Sequence, residues 1–140
     1  MTGHPTPHRG LVAQWTNAWA VILSERRTGV GRLVVVGAYA GAAAGAAFVP
    51  VAFLMVELFG RPSSTSVLGL FIIPFYMFGF GIAGAVSVGV IAALAGMFPT
   101  VRTAGADLRG EPALKWAGWV GSALGVLAAV ANFYVELAST

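Results

Sequence analysis

Hydrophobic residues fall into three long runs, at residues 33–59, 67–98 and 113–137, and the stretches before and between them hold ten of the thirteen charged side chains. At 1.5 Å per residue the first run reaches roughly 40 Å as a helix, enough to cross a hydrocarbon core of about 30 Å with some tilt. Its one ionisable side chain, Glu57, lies two positions from its end. Pro50 cannot donate to the carbonyl of Ala46, so a kink is expected in the second half of this helix. The second run carries no charge and would reach roughly 48 Å, longer than a bilayer core requires, so a break or kink is expected near Pro74. The third begins just after Pro112, a residue suited to the first turn of a helix, and carries Lys115, Trp116 and Trp119 near its start. The pattern predicts an all-α membrane protein with three transmembrane helices.

A shorter segment precedes them. Over residues 11–25, Leu11, Val12, Trp15, Trp19, Ile22 and Leu23 share one face at helical spacing, while Thr16, Asn17 and Ser24 lie on the other. The segment is too short to span, and its paired Trp residues, followed by Arg26, Arg27 and Arg32, fit an amphipathic helix lying at the membrane interface. The alternative is a short helix tucked against the bundle. Residues 1–10, with two prolines, two histidines and no apolar run, are expected to form a flexible tail. No basic region there leads into a signal-type apolar segment. The connector 60–66 is short and polar, so the first two spans should form an antiparallel pair. Residues 99–112, with Arg102, Asp107, Arg109 and Glu111 and with Gly105 and Gly110 as breakers, are expected to be a solvated loop.

Each span also carries small residues four apart: Gly37, Gly41 and Gly45 on the first, Gly81, Ala85, Gly89 and Ala93 on the second, and Gly121, Gly125 and Ala129 on the third. Such stripes let helix backbones approach closely. They serve packing within one chain, self-association, or docking on a larger partner, and spacing alone leaves all three open.

Composition sharpens the class. At 58% hydrophobic and 9% charged residues, with mean hydropathy +0.84, the chain lies far from a soluble domain, where about 25% charged is ordinary. One polytopic domain over residues 1–140 accounts for the length. The absence of cysteine excludes disulfides, thiolate metal sites and cysteine nucleophiles. The excess of Arg over Lys among many Ala, Gly and Val residues points to a bacterial host, hence an inner membrane. With three spans, Arg9, Arg26, Arg27, Arg32, Arg102, Arg109 and Lys115 fall on one side and Arg61 alone on the other. Basic residues favour the cytoplasm, so the N-terminus and residues 99–112 are assigned there and the C-terminus outside. Trp15, Trp19, Trp116 and Trp119 gather near the same interface, where an indole is favoured. The arginines there are expected either to snorkel or to attract anionic lipid.

Reactive chemistry is sparse. His4 and His8 both lie in the tail, which argues against histidine-ligated haem. No carboxylate, Lys or Arg sits at the middle of a span, as a proton or ion relay would require. No Walker loop, catalytic triad or metal-spaced cluster occurs, and GFGIAG at 79–84 lies inside an apolar run where a dinucleotide loop has no place. No catalytic residue, cofactor, metal or nucleic-acid partner is expected. One polar set remains toward the outer side: Glu57, Arg61, Tyr76, Asn132 and Glu136, read either as a binding ring or as ordinary helix ends. The expected partners are membrane lipids and either other membrane subunits or further copies of the chain. The leading functional expectation is an accessory or assembly subunit of a larger membrane complex acting through helix packing. The alternatives are a self-associating channel or holin-like permeability protein, and a small carrier for an apolar or lipid substrate.

Overall fold

A computed structural model describes residues 10–25, 28–59, 67–108 and 110–139. The expected tail, apart from Gly10, lies outside the described residues, as do Arg26, Arg27, the 60–66 connector with Arg61, and Arg109. The described residues form five helices: α1 (Leu11–Glu25), α2 (Gly29–Phe59), α3 (Val67–Ala95), α4 (Pro99–Asp107) and α5 (Gly110–Ala138). Three of them, Gly29–Phe59, Phe71–Ala95 and Gly110–Ala138, are long and apolar enough to cross a membrane. Large apolar side chains such as Phe71, Phe75 and Leu127 are exposed along them, far beyond what water tolerates and as expected where lipid is the solvent. The chain is an all-α membrane protein.

The helix ends follow local chemistry. The Gly31 amide donates to Thr28 Oγ1 at 3.2 Å, so Thr28 caps α2 and the helix starts four residues before the apolar run. Pro50 lies inside α2 and Pro74 inside α3, and both helices continue through them. The second span is therefore not broken at Pro74. A tight turn closes α3, with the Met97 amide on the Leu94 carbonyl and the Phe98 amide on the Ala95 carbonyl, both at 3.1 Å.

Residues 99–107, expected in a solvated loop, are helical instead. Pro99 occupies the first turn of α4, where its fixed φ suits a helix and its missing N–H costs nothing. Gly105 does not break this helix but is buried in it: a Cβ there would lie 2.5 Å from the carbonyl oxygen of Gly29. The glycine allows α4 to lie against the start of α2. Arg32 secures the same contact by donating from its guanidinium to the Ala106 carbonyl at 2.7 Å, a cation at a helix C-terminus. Gly110, at φ +67, takes the left-handed turn between α4 and α5 that a residue with a Cβ resists.

The long helix α2 is central. It packs against both α3 and α5, which flank it with no extensive interface of their own among the described residues. Toward α3, a Cβ on Gly41 would overlap the carbonyl of Gly84, one on Gly84 would overlap that of Gly41, and one on Gly45 would overlap that of Phe80. Toward α5, Gly121 and Gly125 face the carbonyls of Ala40 and Ala44 with the same absence of room. Gly41 and Ala40 are one residue apart, hence about 100° around the helix, which lets one helix meet two neighbours on different sides. Gly81 and Gly89 lie beside Ala42 and Ala38, at looser separations of 3.5 Å from a Cβ on either glycine.

The small buried core lies where α1, α2 and α5 meet. Val35 and Leu114 are buried there, with Trp19, Ala20, Val36 and Tyr39 packed around them.

Candidate functional site

With two sides of α2 covered by α3 and α5, a third is open. Its floor is Ala42, Ala43, Ala46 and Ala47, with Pro50 further along. Alanine keeps the helix regular while raising the floor by one methyl group only. Met77, Phe78 and Ile82 of α3 form one wall, and Trp15 and Trp19 of α1 close over the end nearer α4. The groove encloses about 700 Å³, within the range of small-molecule sites, and its lining is almost wholly apolar.

The aromatic cover is built stepwise. Trp15 meets Trp19 edge-on with ring centroids 5.9 Å apart, and Trp19 meets Tyr39 in the same manner at 5.8 Å. Trp19 is half-buried against the Val35 and Leu114 core, whereas Trp15 is 52% exposed. α1 therefore rests on α2 and α5.

Beside the tryptophans a second recess of about 500 Å³ adjoins the groove, its lining mostly apolar but edged by several polar side chains. Thr16 and Asn17 line it from α1, Tyr39 from α2, and Glu111, Lys115 and Ser122 from α5. Tyr39, Ala43 and Ser122 line both spaces, so the apolar groove and the recess adjoin. Lys115 Nζ stands 3.0 Å from Glu111 Oε1, one helical turn away, with both side chains more than 60% exposed. Such an exposed pair is worth less than about 1 kcal/mol, so either charge is free to exchange its partner. Taken together the two spaces suit a molecule with an apolar tail and a polar head.

The other residues singled out by the sequence are distributed as follows. Trp116 and Trp119 are exposed on α5, where Lys115 joins them around a shallow hollow. Arg32 is committed to the end of α4 through its bond to Ala106. Of the outer polar set, Asn132 donates from Nδ2 to Glu136 Oε1 at 3.3 Å, and both border a cleft with Phe53 and Phe133. Tyr76 lines a different hollow with Phe75 and Phe80, and Glu57 is exposed near the end of α2. Asn132 and Glu136 share that cleft, and neither Tyr76 nor Glu57 lines it.

Sequence reasoning missed the recess. Thr16 and Asn17 read only as the polar face of an amphipathic helix, and no motif or spacing singles out Tyr39 or Ser122. Their common signal is a polar side chain in each of three helices near the tryptophan level, and only the fold shows that they converge.

No protein-family model matches this chain, and no curated protein or solved structure matches it either.

Proposed function

We propose that this is a small non-catalytic membrane protein that holds one amphiphilic molecule, with its apolar tail on the alanine floor of α2 and its head among Thr16, Asn17, Tyr39 and Lys115. The observation that carries this reading is the adjacency of groove and recess, which share Tyr39, Ala43 and Ser122 as lining residues. A tail alone would need no polar recess, and a soluble ligand would need no groove. Among the three functions open from the sequence this is the carrier for a lipid or other apolar substrate, with its site beside α1 and not in the outer polar set. The same reading places α1 and α4 on the cytoplasmic side of a bacterial inner membrane, supported by the one-sided distribution of Arg and Lys.

The test is native mass spectrometry of the full chain released from mild detergent. One retained lipid per chain is expected. Ala46→Leu, which keeps a strong helix former while filling the middle of the groove, should abolish the retention without unfolding the protein. Equal retention in wild type and variant would remove the reading.

A second reading is favoured by the floor itself. Four alanines at 42, 43, 46 and 47 also suit close approach of another helix, as in an accessory subunit of a larger membrane complex. That reading expects purification in mild detergent to recover a second polypeptide in fixed stoichiometry, lost in Ala46→Leu.

A further inference from the structure

The recess contains a cation and an anion, and that pairing selects among headgroups. Lys115 and Glu111 stand side by side on α5, 3.0 Å apart and both open to the recess. Among the described residues no other charged side chain lines it, and its remaining polar groups include Thr16, Asn17, Tyr39 and Ser122. A headgroup carrying only negative charge would gain Lys115 but would meet the Glu111 carboxylate at nearly the same place, and the like-charge term would offset the gain. A purely cationic headgroup meets the reverse conflict.

Resting on the proposed function above, we infer that the groove selects a zwitterionic phospholipid bearing a phosphate next to a primary ammonium. The phosphate replaces Glu111 as the partner of Lys115, and the ammonium replaces Lys115 as the partner of Glu111. The weak surface pair opens into two charge-assisted contacts, each stronger than an ordinary neutral hydrogen bond. A primary ammonium brings three N–H donors, which the Glu111 carboxylate and the neighbouring neutral oxygens accept. The acyl chain then runs past Tyr39 and under Trp19 onto the alanine floor, because Tyr39 borders both spaces.

The experiment offers the full chain equimolar phosphatidylethanolamine and phosphatidylglycerol with identical acyl chains, and reads the retained lipid by native mass spectrometry. Wild type is expected to retain the ethanolamine lipid about fivefold over the glycerol lipid, the ratio equivalent to about 1 kcal/mol from one exposed charge contact. Glu111→Gln, which keeps the shape and removes the charge, should bring the ratio to about one or reverse it. The helical circular-dichroism spectrum should match that of wild type, which shows that the variant folds. Equal retention of the two lipids by wild type, a preference for the glycerol lipid, or a preference that survives Glu111→Gln overturns the headgroup assignment while leaving the groove as a lipid site. Wild type retaining no more lipid than Ala46→Leu overturns the lipid site itself, and the headgroup assignment with it.

Discussion

Gly41 gives the sharpest test of how α2 meets α3. A Cβ there would overlap the Gly84 carbonyl and lie 2.9 Å from Val88 Cβ. The Gly84 obstruction is backbone, so no rotamer change relieves it and the helices must separate. Overpacking of this kind costs about 1–3 kcal/mol. Exchanging Gly for Ala also favours the helix by about 1 kcal/mol, which would mask part of that cost if Gly41→Ala were measured alone. Gly79 supplies the reference, since it lies on the exposed side of α3 with nothing within 4 Å of its would-be Cβ. Gly79→Ala gains the propensity and pays no overlap. The two variants should therefore differ by about 1–3 kcal/mol, with Gly41→Ala the less stable. Titrating the full chain from mild detergent into SDS, followed by intrinsic Trp fluorescence, reads this difference. Two variants equal within about 0.5 kcal/mol would place them among ordinary surface substitutions and refute the close Gly41–Gly84 approach.

Three further outcomes follow from other parts of the fold. Arg32→Gln removes the guanidinium from the Ala106 carbonyl and should cost about 1 kcal/mol, read as faster amide exchange confined to α4; unchanged exchange would mean the bond does not hold α4. Trp19→Ala should cost about 2 kcal/mol, less than a fully buried Trp because Trp19 is only half covered. It should release α1, so that exchange rises across residues 11–25 and not in α3. The chain has no cysteine, so single cysteines report sidedness directly. Ser139→Cys should react with an impermeant maleimide added to intact cells and Thr103→Cys only after lysis, and the reverse pattern would invert the proposed orientation.

The spans are legible in the sequence because a helix in lipid must satisfy its own backbone, and only a long unbroken apolar run does so. α4 is hidden because the two residues that build it are ambiguous. Pro99 is a breaker in mid-helix and a good first residue, and Gly105 reads as a loop residue whereas its use is close approach to Gly29. Likewise, spacing marks Gly37, Gly41 and Gly45 as a surface for close contact but does not say which helix meets them. The partner carbonyls belong to Val88, Gly84 and Phe80, and Gly45 also nears the marked row of α3 through the Gly81 amide. The groove is hidden for a related reason. Ala42, Ala43, Ala46 and Ala47 belong to the same low-volume run as the glycines, and periodicity does not separate a face that a neighbour covers from one left open.

A lipid tail on that open face of α2 is directly traceable by photochemistry. A phospholipid with a diazirine midway along one acyl chain, reconstituted with the full chain and photolysed, reports directly where the tail lies. Adducts concentrated on residues 42–50 of α2 and 77–82 of α3, and lost in Ala46→Leu, are the predicted result. Adducts spread evenly over the exposed faces that carry Phe71, Val86 and Leu127 would show ordinary solvation by the bilayer and contradict it.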